Sequence, residues 1–250
     1  MKKLVFSFVV LFTVLSYSQT PEALFSKANS LYKNGNYSKA IDIYLSIEKQ
    51  GLQSDELYYN LGNSYYKLNK VAPSIYYYEK ALKINPLNED AISNLAFAKR
   101  MTIDVIEELP KTFLQRFSAN VILKYTFDTW AIIAVIASFL AVLLFLLYYF
   151  SSGSKTKLLF FNTSILAVFI MVISASFAFK NYDIVKNTKT AIIFKDKVDV
   201  KNAPTNTSDE VFELHEGTKV QILDELDNWK KIKLADGKIG WTIANNLKEI

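Results

Sequence analysis

"GNSYYKLNKVAPSIYYY", Gly62 to Tyr78, has a counterpart 34 residues earlier in "ANSLYKNGNYSKAIDIY", Ala28 to Tyr44. Asn29, Ser30, Tyr32 and Lys33 recur as Asn63, Ser64, Tyr66 and Lys67, and Tyr44 recurs as Tyr78. Self-similarity at such a period marks stacked supersecondary units, none of which can bury its apolar face alone. The register puts a small residue in each first helix, Ala28 and Gly62, and another in each second helix, Ala40 and Ser74. Two antiparallel helices can approach closely at those points while aromatic rings fill the space around the crossing.

The arrangement resembles the tetratricopeptide repeat over residues 21–88, as units 21–54 and 55–88 of an all-α solenoid domain, residues 19–108. Leu61, Gly62, Tyr65, Tyr78, Ala81 and Pro86 of the second unit match the family's pattern, whereas the first unit has Leu52 in place of the closing proline. A further helix from Glu89 to about Met101 starts like another unit without a second half, and is expected to cap the open end, within 89–108. The resemblance implies a concave groove, lined by the first helices, that holds a protein or peptide ligand. By the spacing, Phe25, Asn29, Tyr32, Lys33, Tyr59, Asn63, Tyr66 and Lys67 face it. The asparagines suit a peptide backbone or terminal carboxylate, and the lysines supply charge. Against this stands the plainer reading that Tyr32 and Tyr66 pack between helices while Lys33 and Lys67 are solvated.

The formal charge is +5, but the excess is local. Lys and Arg number 10 against 11 acids over residues 19–108 and 11 against 11 over 184–250, but 6 against 2 over 109–183. That distribution belongs to a membrane protein and not to a phosphate-binding surface, so no nucleic-acid partner is expected. The absence of cysteine removes thiol redox chemistry, disulfides and cysteine zinc sites. At the start, Lys2 and Lys3 precede an apolar run from Leu4 to Leu15, with Ser16 and Ser18 around Tyr17. Residues 1–18 read as a secretory signal cleaved after Ser18, since the run is well short of the roughly 20 residues of an uncleaved anchor.

Two uncharged stretches, Trp130 to Phe150 and Leu158 to Phe179, are each long enough to cross a bilayer. The basic loop 151–157 between them allows only a tight hairpin, and the small pairs Ala134/Ser138, Ala137/Ala141 and Ser174/Ala178 would let the spans pack closely. Lys155 and Lys157 in the loop suit the cytoplasm, although more basic residues in total flank the far ends of the spans. The signal decides the orientation: both soluble domains are expected outside the cytoplasmic membrane. The juxtamembrane segment 109–129 carries Phe113, Phe117 and Val121 on one face and Arg116, Asn120 and Lys124 on another. It reads equally as an interfacial helix or as a plain helical extension.

After a linker over 180–189, the periodicity changes from helical to alternating. Val198 and Val200, Val220 and Ile222, Ile232 and Leu234, and Trp241 and Ile243 mark short strands separated by turn residues. Five such strands over residues 190–250 suffice for a small closed barrel. Gly217, Trp229, Gly237, Gly240 and Trp241 fall in the order that resembles the bacterial SH3-like domain, all-β, which implies binding of cell-wall peptides or protein partners without catalysis. Trp229 and Trp241 are the candidate surface residues. Trp241, beside Gly240, is expected mainly to fill the core, and Trp229 to be partly exposed. His215, the sole histidine, reads as a solvated turn residue. No nucleophile motif, metal-ligand set or phosphate loop accompanies it, so neither enzyme activity nor a cofactor or metal is expected.

As a whole the chain resembles the aerotolerance operon proteins of the BatE type. That resemblance implies a membrane-anchored scaffold working with von Willebrand factor A-type membrane proteins in stress tolerance or envelope integrity. Peptidoglycan is the alternative ligand, gripped by the SH3-like module.

Overall fold

In the computed structural model the described residues are 20–250, and the expected signal peptide lies outside them. Among the described residues five helices come first: α1 (Pro21–Lys33), α2 (Tyr37–Lys49), α3 (Asp55–Lys67), α4 (Val71–Ile84) and α5 (Glu89–Lys99). Their starts follow from capping. Thr20, Ser54 and Asn88 accept backbone N–H bonds from Ala23, Leu57 and Ala91, each satisfying an orphan donor of the first turn. The turns after α1 and α3 reverse through left-handed residues at the same place in each unit, Gly35 (φ 75°) and Asn69 (φ 55°).

Small residues set the helix spacing as the repeat predicts. A Cβ on Gly62 would lie 2.6 Å from the ring of Tyr78, and the Ser74 hydroxyl donates to the Gly62 carbonyl at 3.0 Å. Tyr44 and Tyr78 are fully buried, and their hydroxyls donate to Asn29 and Asn63 at 2.5 and 2.6 Å.

Beyond Lys99 the helix gives way to an extended strap, residues 100–112, followed by α6 (Phe113–Phe117) and one π-helical turn (Ser118–Ile122). Then come α7 (Phe127–Phe150) and α8 (Ser154–Asn187), two antiparallel helices long and apolar enough to cross a membrane. Only 11% and 17% of their most apolar windows are buried, so they are not core helices. Ala137, Ala141, Ser164, Ala167 and Ser174 form the buried seam between them. Where a linker over 180–189 was expected, α8 continues to Asn187, because no Gly or Pro interrupts it and Asn187 donates to Asp183 one turn earlier. The nonhelical part of the loop is likewise shorter than 151–157.

The chain ends in β1 (Lys189–Ile193), β2 (Lys197–Lys201), β3 (Glu210–His215), β4 (Lys219–Leu226), β5 (Trp229–Lys233), β6 (Ile239–Ile243) and β7 (Leu247–Glu249). All pairings are antiparallel, in the order β3-β2-β6-β5-β4-β1-β7. Seven strands stand where five were read. In β1, Ala191, Ile192 and Ile193 are all fully buried, because Ile192 packs into the helical core and its two neighbours into the barrel core. A strand covered on both faces loses its period of two.

The barrel sits on α4. Val71 and Ile75 approach Gly217, whose φ of +87° and missing Cβ make room for them and for Thr102. One turn further, Glu79 is bonded by Lys219 of β4 at 2.7 Å and Lys99 of α5 at 3.3 Å. Tyr76 meets Phe194 edge-on, and the Lys248 ammonium lies 4.4 Å from the Tyr76 ring. The strap stitches the same junction: Asp104 accepts from the His215 backbone N–H (2.7 Å) and Thr218 hydroxyl (2.5 Å), and its other oxygen contacts His215 Nδ1 at 2.7 Å. Ile106 packs on the barrel core, and the Leu109 N–H donates to Ala235 at 3.1 Å. The histidine is therefore not a solvated turn residue. It ends β3 and is clamped by a carboxylate 111 positions away.

This junction carries a pH dependence. Burial acts to raise the Glu79 carboxyl, but the Lys219 and Lys99 ammonium groups outweigh it and hold it below its ordinary value. Burial opposes ionisation of Asp104 too, and the bonds from Thr218 and His215 prevail, again lowering it. A carboxyl depressed by docking contributes stability that is present above its undocked pKa and lost as pH falls through the docked one. Docking is thus expected to hold at neutral pH and to weaken below about pH 4. Hydrogen exchange at α4 and β4 followed against pH checks this, and protection unchanged well into the acid range would contradict it.

Candidate functional site

The groove side of the repeats is built on a ladder of amides. The Asn29 carbonyl accepts from Tyr44 and from Asn60 Nδ2 at 3.1 Å, and the Asn63 carbonyl accepts from Tyr78 and from Asn94 Nδ2 at 2.8 Å. Each asparagine thereby joins its own second helix to the first helix of the next unit, and α5 takes the place of that helix at the end of the stack. Asn60 and Asn94 did not figure among the candidate residues, yet they stand 34 apart, the offset of the repeat itself.

Beside this ladder, Tyr32, Asn63, Tyr66 and Lys67 come together around a cleft of about 210 Å³. Tyr59, Asn94 and Phe97 complete its walls. Tyr59 accepts from Asn94 at 3.2 Å, and Tyr32 and Tyr66 are half-buried rather than sealed between helices. Burial, with Tyr37 and Tyr59 adding to it, pushes the Tyr32 phenol above its ordinary value and keeps it neutral. Lys67 is exposed at the rim. Asn29 lies apart, with Phe25, in a second hollow of about 430 Å³ walled by Leu52, Ile47 and Leu57, and Lys33 is exposed outside both. Of the eight candidate groove residues, Tyr32, Tyr59, Asn63, Tyr66 and Lys67 thus share one cleft, Phe25 and Asn29 line the second hollow, and Lys33 lines neither. Phenols, amides and an ammonium suit a peptide main chain with an acidic group.

The barrel presents a different surface. Gly240 and Thr242 point inward, and a Cβ on Gly240 would lie 2.5 Å from Val200. Alternation along β6 therefore turns Trp241 and Ile243 outward, where they pair with Lys231 and Trp229 of β5. Trp241 is half-exposed, with the Lys231 ammonium 5.8 Å from its ring. The expectation that Trp241 mainly fills the core is corrected: the close neighbour of the core is Gly240, and period two sends the next residue out. Trp229 is also half-exposed. On the outer face of β2 and β3, the carboxylates of Asp199, Glu210 and Glu213 come within 4.8 Å of one another, all exposed, and Glu213 is paired with Lys197.

Residues 22–50 and 56–88 each match a family model described as tetratricopeptide repeat, and residues 196–248 match the model of the bacterial SH3 domain. The helical region is thus like a tetratricopeptide-repeat solenoid, and the C-terminal antiparallel sheet is consistent with an SH3-like barrel. No curated protein matches the chain. Repeat and SH3 domains of these kinds are typically non-catalytic interaction domains.

Proposed function

We propose that the chain is a non-enzymatic scaffold anchored by its two apolar helices on the outer face of the cytoplasmic membrane, docking protein partners through the repeat groove and the SH3 domain. The cleft bounded by Tyr32, Asn63, Tyr66 and Lys67 carries this reading, since it is the place where predicted groove residues converge on an open surface. The order of modules, which resembles BatE-type proteins, favours von Willebrand factor A-type membrane proteins as partners in stress tolerance or envelope integrity. Charge reversal at Lys67, on the rim of the cleft, tests the groove. A rim charge of this kind contributes up to about 1 kcal/mol, so the variant is expected to bind up to about fivefold more weakly and to recover correspondingly less of the partner on co-purification in mild detergent. Undiminished recovery from a normally folded variant would refute the groove.

A second reading rests on Trp229 and Trp241, whose half-exposed rings flank Lys231 on the barrel's outer face. Aromatic faces beside a cation suit peptidoglycan as well as a protein. In this case the detergent-solubilised chain sediments with purified sacculi, and alanine at both tryptophans abolishes sedimentation without lowering the melting temperature. Absence of co-sedimentation by the unmodified chain would eliminate it.

A further inference from the structure

The segment Thr112–Ile122 is held against the ends of both apolar helices yet leaves large side chains uncovered. Its helical turn stands on its own capping box, in which Thr112 Oγ1 accepts from the Gln115 N–H at 3.3 Å and Gln115 Oε1 from the Thr112 N–H at 2.9 Å. The Ile122 carbonyl then accepts from Trp130 Nε1 at 3.0 Å and from Asn181 Nδ2 at 2.8 Å, and Asn181 also donates to Tyr125. Asn181 is buried, so these bonds fix the segment's height at the upper ends of α7 and α8. The Phe117 ring meets Phe177 edge-on, and Phe177 in turn meets Trp130.

The faces of this segment are unlike. Thr112, Gln115 and Ala119 line a hollow shared with the barrel. The opposite face carries Phe113, Leu114 and Phe117, which are 78%, 75% and 41% exposed. Arg116 is exposed on the adjoining face, whereas Lys111 belongs to the barrel-side hollow and pairs with Glu108 at 3.2 Å, and Lys124 lines a further hollow with Asn120 and Leu123. Apolar side chains continuous with the apolar surface of two lipid-facing helices, with an arginine on the adjoining face, match the boundary between acyl chains and headgroups.

We propose that Thr112–Ile122 is a lipid-inserted wedge, with Phe113, Leu114 and Phe117 in the acyl region and Arg116 at the level of the headgroup phosphates. The occupant of this face is the bilayer surface itself, and the inference rests on the reading of α7 and α8 as membrane spans. Because the opposite face of the wedge adjoins the barrel, insertion also sets the height of the docked domains above the membrane.

The chain has no cysteine, so single substitutions can be spin-labelled without background. Phe113→Cys, Phe139→Cys in mid-span and Lys39→Cys on α2 are compared after reconstitution of the full chain into phosphatidylcholine–phosphatidylglycerol vesicles. Collision with oxygen reports lipid, and collision with a water-soluble nickel chelate reports solvent. The ratio at Phe113 is expected to approach that at Phe139 and to exceed that at Lys39 several-fold. A solvent-like ratio at Phe113 with a lipid-like ratio at Phe139 overturns the wedge alone, and a solvent-like ratio at Phe139 overturns the spans as well. Shielding of Phe113 from both reagents assigns the face to protein and also overturns the wedge. Leu114→Cys provides the same readout if Phe113→Cys does not fold.

Discussion

Gly240→Val is expected to unfold the barrel while leaving the repeats helical. The smallest side chain at this position already brings a Cβ within 2.5 Å of Val200 Cγ1 and 3.1 Å of the Lys201 carbonyl. Val200 is fully buried and Lys201 belongs to the paired strand, so neither neighbour can swing aside. Overpacking of a filled core costs about 1–3 kcal/mol, and contact with backbone places this case at the upper end. For a unit of this size a loss of about 3 kcal/mol lowers the melting temperature by roughly 15 °C. Ile239→Ala, one residue away but exposed, should change it by only a degree or two. Equal melting of the two variants would mean that β6 does not approach β2 as described.

The second large effect is expected at Asp104. Its side chain is 12% exposed, and alanine leaves the His215 N–H, the His215 ring and the Thr218 hydroxyl without their acceptor. Hydrogen bonds to a charged group contribute about 1.5–3 kcal/mol each and are not additive, so a loss of about 3 kcal/mol is reasonable. The effect should fall on docking before it falls on either domain. Asp104→Ala should split one melting transition into two and open the strap to proteolysis. Asp104→Asn should lie between it and the unmodified chain, with Thr218→Val milder still. A single, unshifted transition in Asp104→Ala would show that the strap does not hold the domains together.

The repeat was legible because its physical requirements are local and periodic. Ala28, Gly62, Tyr44 and Tyr78 recur at the offset that the helix crossings impose, and the same offset could have disclosed Asn60 and Asn94. The alternating valines and isoleucines marked the central strands for a similar reason, whereas β1 escaped because both of its faces are covered. The junction was illegible. Asp104 and His215 are separated by two apolar helices, and nothing in "IDVIEE" or "ELHEG" announces that they meet. Glu79 in turn looked like one more surface charge on a helix, although it is nearly buried between two lysines from other elements. Trp241 shows the limit of reading a residue type by itself: its direction follows from the pleat and from the crowding at Gly240, not from its size.

With α7 and α8 as the proposed membrane spans, docking of the SH3-like barrel on α4 places both domains on one side of the membrane, as a two-helix hairpin permits. The groove of Tyr32, Tyr66 and Lys67 then faces the same compartment as Trp229 and Trp241, and a partner can meet both surfaces. Protease digestion of intact spheroplasts, followed with one antibody against the repeats and another against the barrel, tests this most directly. Both domains are expected to be lost together, with only the hairpin surviving. Survival of either domain in sealed cells would contradict it.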